Sequence, residues 1–446
     1  MNNEYSLIEA LKSTQRKLVD LVNTLSEEGL NMPYHPGVNP PLWEIGHAAF
    51  FFEVFILKSL DQAESFDPSM DDIWDSFNID HEDRWKPGMI PSKEQTLSYV
   101  NEIHQRILTR IEESELTQAE LYLYKYAIFH QNMHIESLIW ARQTMAHEKM
   151  DFDPTERKII PLGLEDKDLG DATIPAGSYL IGMSADSENF ATDDFAFDNE
   201  KPGFKIELEA FKISRALVSN KEFLAFIEDG GYENEAHWGW GGKKWLKTPR
   251  DHGIAPEKNL KLSEHPLYWV YEKGEWLERY FDQWKPLNPD YPVTHVSFFE
   301  VEAYCNWAGR RLPTEHEWEV AALGNKQGQE RRKFPWGNVM DASKVDMDGI
   351  HIAHVPVTAY PEGDSIYGCR QMLGTVWEWT SSQYLPYDGF TLDMYVFMST
   401  LQFGYHKTTK GGSCATSSML IRGSYRQAYL PDRTDVFVGF RTCALE

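Results

Sequence analysis

The stretch LYKYAIFHQNMHIESLIWA, residues 123–141, decides the fold of the first 150 residues. Leu123, Ala127, His130, His134, Leu138 and Ala141 recur at helical spacing. His130 and His134 are four apart, so their rings share the apolar face and point inward. This helix is expected to start near Thr117. Three further stripes precede it. Leu7, Leu11, Leu18, Leu21, Val22 and Leu25 form the first. Trp43, His47, Phe50, Phe51, Val54 and Leu57 follow Asn39-Pro40-Pro41, read as a cap with proline in the first turn. Leu97, Val100, Ile103, Ile107 and Ile111 stand behind a Ser92/Gln95 capping box. Four such helices predict a four-helix bundle over 1–150. The connection 61–91 is long, acidic and Trp-bearing, a kind of loop that is often functional.

Two inward imidazoles can hold one metal if a facing helix supplies a third ligand, and His47 is the natural third. Three neutral nitrogens on one side of a metal leave other positions open for substrate and O2. Glu136 lies roughly 200° round the helix from His134, which predicts an outer or structural acid rather than a ligand. With 15 histidines in the chain, a pair spaced by four also arises by chance. Spacing alone is compatible with iron or zinc.

A chain of 446 residues predicts two or three domains. Lys plus Arg number 43 against 69 Asp plus Glu, a net charge of −26, which argues against nucleic-acid phosphates and anionic membrane as partners. The four cysteines form no CxxC pair, so neither a disulfide scaffold nor a zinc ribbon is expected. The N-terminus has no apolar stretch of signal-peptide type, and no run approaches the ~18 apolar residues of a membrane helix. A soluble cytoplasmic protein is the expectation.

Residues 151–172 are charged and weakly periodic, and read as a linker. Residues 173–446 are rich in Gly, Pro, Trp and Asn, with short periodic segments, and predict an irregular α+β domain. IPAGSYLIGM (174–183), FKIELEAFKIS (204–214) and PVTHVSFFE (292–300) read as strands. VSNKEFLAFIEDGG (218–231) and SFFEVEAYCNWAGRR (297–311) read as short helices stopped by glycine.

The blocks IPAGSYLIGM, FDNEKP (197–202), VSNKEF, PVTHVSFFEVEAYCNWAGRRLPTEHEWEVAA, FPWGN, LGTVWEWTSS, KGGSC and VGFRTCAL keep a recognisable order. The series resembles the formylglycine-generating-enzyme/sulfatase-modifying domain, a C-type-lectin-like fold. The helical part resembles a DinB-type bundle. Together they resemble the ergothioneine-biosynthesis sulfoxide synthases, in a multidomain α+β chain whose second domain completes the active site. The resemblance implies iron(II) on His47, His130 and His134. It also implies O2-dependent bond formation at imidazole C2 of hercynine. GFTLDMY (389–395) is similar to the family segment that bears its catalytic tyrosine, and DHEDRW (80–85) to the one that bears its carboxylate-holding arginine, so the resemblance implies these roles for Tyr395 and Arg84.

Departures lie at the implied substrate-binding positions. His81 stands where γ-glutamylcysteine-using members carry a second arginine. Met133 replaces a glutamine, and Gln427, Ala428 and Tyr429 replace an Asn-Trp-Asp set. PLWEIGHAAFFFE, FHQNMHIE and GFRTCAL are most similar to the selenoneine-synthase branch, whose donor is a selenosugar. A net-acidic chain suits a neutral sugar at least as well as an anionic peptide. The alternatives are sulfur chemistry with cysteine or γ-glutamylcysteine, and a DinB-type metal-dependent thiol transferase. Formylglycine generation would need a reactive cysteine pair, and only Cys414 is near the GGS block. A non-enzymatic reading makes the lectin-like domain a binding module. Cys305, Cys369 and Cys443 read as buried apolar residues. The WEW and FPWG blocks read as packing signatures of the fold.

Overall fold

The capping signals become helices in the computed structural model, which describes residues 3–150, 160, 162, 169–183, 195–248, 264–326, 328–329 and 331–445. Most of the expected linker lies outside the described residues. The described chain forms two compact units, residues 3–150 with Phe195, and the remainder.

The first unit contains α1 (Asn3–Asn23), α2 (Glu27–Leu30), α3 (Pro41–Phe52), α4 (Ser59–Asp61), α5 (Asp71–Trp74), α6 (Lys93–Glu113) and α7 (Gln118–Thr144). Ser92 with Gln95, and Thr117 with Glu120, form complete capping boxes at the starts of α6 and α7. Leu11, Leu18, Leu21 and Val22 of α1 are buried, as are Val100, Ile103, Ile107 and Ile111 of α6. Helix α3 packs on α6 and α7, and α1 packs on α7. Phe195 stacks on Tyr122 of α7 and meets Tyr126 and Phe129 edge-on.

Three local expectations are corrected here. Asn39 is not the cap of α3. Pro40 occupies that position without a side-chain bond, and Asn39 Oδ1 accepts from Arg84. The second stripe does not continue as α-helix to Leu57, because Glu53–Lys58 is a π-helix. The wider turn brings Glu53 inward, where its carboxylate accepts from the Tyr99 hydroxyl at 2.5 Å and the Phe66 amide at 2.6 Å. Helix α7 is buried over more than the single stripe. Leu123 is half-buried, while Leu121, Tyr124, Ile128, Gln131 and Ile135 are buried. The reason is that α7 is covered by α1 on one flank and by α3 on another.

The second unit is α+β. One antiparallel sheet has the order Asp171–Ile174, Phe211–Ser214, Cys443–Ala444, Arg310–Arg311. A second has the order Arg426–Tyr429, Lys407–Lys410, Trp377–Gln383, Val438–Gly439, the last pair being parallel. The first strand begins inside the stretch expected as linker. Helices Asn220–Glu228 and Phe298–Ala308 appear where expected, and Gly309 ends the second with φ +62°. PVTHVSFFE is not a strand. His295 takes φ +60°, which no strand accommodates, and Ser297 already caps the following helix. Trp377 and Trp379 of the WEW block are buried. Buried ion pairs join the elements: Arg441–Glu378 at 2.7 Å, Arg426–Glu315 at 2.8 Å, Lys410–Glu319 at 2.9 Å, and Arg422–Glu200. Each charge is compensated by a partner, as burial requires.

Candidate metal centre

His47 projects from α3, and His130 and His134 from α7. One ligand atom of each lies within 4.8 Å of the other two, the one such cluster of three among the described residues. The three rings meet edge to face, with centroids 5.4, 5.0 and 4.4 Å apart. His47 and His130 are buried and His134 is half-buried.

Each ring is fixed by a different neighbour. Nδ1 of His47 lies 2.7 Å from the Trp74 carbonyl oxygen, so it carries the proton and leaves Nε2 as the lone pair. The His47 ring stacks on Trp43, at 4.7 Å and 9°. His130 stacks on Phe51, at 3.9 Å and 21°. Nδ1 of His134 lies 2.7 Å from Oε1 of Glu44. Glu44 is buried; burial opposes its ionisation, but His134 outweighs that and holds the carboxyl below its usual range. Burial pushes His47 down to about 3 and His130 well below its ordinary value, with neighbouring imidazoles adding to the shift. Both imidazoles are therefore neutral at neutral pH and keep a lone pair to offer.

The donor set fits a metal. Nε2 of His130 and Nε2 of His134 are 3.1 Å apart. Imidazole nitrogens bound at about 2.0–2.1 Å to one metal, at neighbouring positions, lie roughly 3 Å from each other. With Nδ1 protonated on His134 and on His47, their Nε2 lone pairs face a common centre. A shared cation relieves the repulsion between such lone pairs. His130, His134 and His47 are thus the residues able to hold a metal.

The other sequence-predicted positions fall in three places. Arg84 and His81 sit in the 61–91 connection of the first unit. The Arg84 guanidinium lies 3.6 Å over the Trp43 ring and is buried, so it is no surface ion pair. Nε2 of His81 meets the Val38 carbonyl oxygen at 2.9 Å, and burial lowers the imidazole below its ordinary value. Met133 is half-buried on α7, next to His134. In the second unit, Gln427 and Tyr429 lie on the strand Arg426–Tyr429, with Tyr429 buried and edge-on to Trp377 and Trp379. Tyr395 is half-buried at the head of the turn Val396–Met398, with its ring against Phe397.

The sequence reading makes Glu136 an outer or structural acid rather than a ligand, and it is not among the three candidate ligands. Glu136 is buried, but the acid on Nδ1 of His134 is Glu44. The available signal was a lone carboxylate three residues before His47 in the otherwise apolar run PLWEIGHAAFFF. The Trp74 carbonyl had no signal, because any residue type supplies one.

Comparison with known proteins bears on both units. Residues 10–148 match the DinB superfamily, and residues 167–445 match the Sulfatase-modifying factor enzyme 1-like domain family. The chain is similar to the hercynine oxygenase of Mycolicibacterium smegmatis, 29% identical with 98% of both chains covered. It is similar to that of Mycolicibacterium thermoresistibile, 30% identical over 98% of this chain and 93% of the relative. The formylglycine-generating enzyme of Thermomonospora curvata is 30% identical over 62% of this chain and 93% of the relative. Two matched domains in this order, with relatives aligned over almost their full length, place the chain in the hercynine oxygenase family, the ergothioneine-biosynthesis sulfoxide synthases.

Proposed function

We propose that the chain is an O2-using oxidoreductase that holds iron(II) on His47, His130 and His134 and forms a carbon–selenium or carbon–sulfur bond at imidazole C2 of hercynine. The observation that carries this reading is the convergence of three nitrogens in a chain of this family. When bound, the metal supplies the coordination positions at which O2 and the two substrates are brought together, so that proximity lowers the barrier. His47 and His130 are neutral, and three nitrogens leave the remaining positions open. Glu44 holds the proton on Nδ1 of His134, and the Trp74 carbonyl holds that on Nδ1 of His47. Tyr395 is assigned a proton- or hydrogen-donating role. Arg84, His81, Met133, Gln427 and Tyr429 are assigned to substrate binding.

The donor proposed is a selenosugar, as in selenoneine synthesis. His81 supports it. A neutral imidazole already engaged with the Val38 carbonyl is a poor holder for the carboxylates of γ-glutamylcysteine. Sulfur chemistry with cysteine or γ-glutamylcysteine is the second reading, favoured by the hercynine oxygenase relatives.

The test supplies hercynine, iron(II) and O2 with selenosugar, cysteine and γ-glutamylcysteine in competition, and reads the products by mass. Selenoneine as the main product is expected. A sulfoxide as the main product would replace the donor assignment. Full turnover with zinc and no O2 would overturn the oxygenase reading and point to a thiol transferase.

A further inference from the structure

Two donors on α3 meet two successive carbonyls of the 61–91 connection. Nε1 of Trp43 donates to the Ile73 carbonyl at 2.7 Å, and Nδ1 of His47 donates to the Trp74 carbonyl at 2.7 Å. Trp43 and His47 are four residues apart, and their rings are nearly parallel. Ile73 and Trp74 end the short helix α5, so their carbonyls have no partner within it and are free to accept from α3.

What seats these carbonyls is a close packing contact. Gly46 lies beside His47 on α3. A Cβ built on Gly46 would stand 2.6 Å from Cε3, Cζ3 and Cη2 of the Trp74 indole. The indole therefore occupies the space that any other residue at position 46 would fill. Trp74 is fully buried, yet its Nε1 has no hydrogen-bond partner among the described residues. An unpartnered buried N–H costs about 1–3 kcal/mol. The indole is thus held by packing, on Gly46 and beside the Tyr99 ring at 5.9 Å, which suits a residue whose contribution is its backbone oxygen.

We infer that Gly46 and Trp74 are positioning residues: the indole seated on the glycine sets the Trp74 carbonyl, and that carbonyl fixes the tautomer and direction of the His47 ligand. The inference rests on reading His47, His130 and His134 as the metal site. Neither residue is among the three candidate ligands. A carbonyl on the far nitrogen of a metal-bound imidazole directs the ring, and losing it costs about 10–100-fold in metal affinity.

The test uses the full chain, cobalt(II) alone as probe, and the visible ligand-field spectrum with a binding titration. Gly46→Ala should push the indole off its seat, weaken cobalt(II) by about 10-fold or more and alter the spectrum. Trp74→Leu removes the colliding ring atoms while keeping the carbonyl. Trp74→Leu alone, lacking the seated ring, should also weaken cobalt(II) by about 10-fold or more, and the double variant Gly46→Ala/Trp74→Leu should bind within about threefold of Trp74→Leu, because both changes break the same contact. Thermal melting of each variant separates loss of fold from loss of ligand geometry. Trp43→Phe keeps the stacked ring, deletes only the N–H to Ile73, and should weaken binding about 3–10-fold. Wild-type affinity and spectrum in Gly46→Ala would overturn the inference. So would wild-type affinity and spectrum in Trp74→Leu, losses that simply add in the double variant, or unaltered binding in Trp43→Phe. Absence of cobalt(II) binding by the wild type would instead overturn the metal reading itself, and the inference with it.

Discussion

Oε1 of Glu44 and Nδ1 of His134 meet at 2.7 Å although they are 90 residues apart in the chain. The carboxylate comes from α3 and the imidazole from α7, so the contact ties the two helices that carry the candidate ligands. The pair also fixes which nitrogen of His134 faces the other rings.

Glu44→Gln keeps the shape and removes the charge. Metal affinity should fall about 10–100-fold, read by competition with a chelator. The fold should persist, since the amide still offers an oxygen to Nδ1. Affinity unchanged within about twofold would remove Glu44 from the centre.

His130→Ala and His134→Ala should each abolish bound iron in protein purified and analysed without oxygen. Circular dichroism should show the helices intact, because the capping boxes of α6 and α7 and the apolar core lie elsewhere. Wild-type iron content in either variant would refute the ligand assignment.

Tyr395→Phe should retain full iron content while moving products from bond formation toward oxidation of the donor. The half-buried ring loses only its hydroxyl. A product ratio equal to that of the wild type would exclude Tyr395 from the chemistry.

Glu278 gives a pH-dependent expectation in the second unit. Burial pushes its carboxyl up to about 7, against the attraction of Lys285, with His354 Nε2 at 3.3 Å. The unfolded chain releases this proton near 4.5. Between those values the folded state holds more protons, so stability is full below the lower value and is lost as pH rises toward 7. Glu278→Gln should leave stability at pH 4 nearly unchanged and raise it at pH 8, by about 3 kcal/mol at most. Denaturant melts at both pH values check this. An equal change at both would show that the effect is packing.

All four cysteines are buried. Burial pushes the Cys443 thiol up to about 12 and raises those of Cys305 and Cys369. Alkylation of the native chain should be slow, and Cys414→Ser should keep hercynine-dependent turnover. Loss of turnover with iron retained would revive a thiol mechanism of the formylglycine type.

Much of the first unit was legible because it is local. Ser92 with Gln95 and the i, i+4 spacing of His130 and His134 are relations within one turn or two, and helical geometry turns them directly into structure. The limits were also local. A cap at Asn39, helix continuing past Phe52, and a strand at PVTHVSFFE were each displaced by contacts from elsewhere in the chain or by a backbone turn that composition does not encode.

The sequence by itself determined the helices, the capping boxes, the inward face carrying His130 and His134, and the ordered blocks that mark the second domain. Only the tertiary structure decided which acid serves His134, which carbonyl directs His47, and that Gly46 must be small. Those relations join residues 27 to 90 positions apart. They depend on where α3 packs against α7 and where the 61–91 connection returns, and hydrophobic burial of whole helix faces sets those placements rather than any short motif.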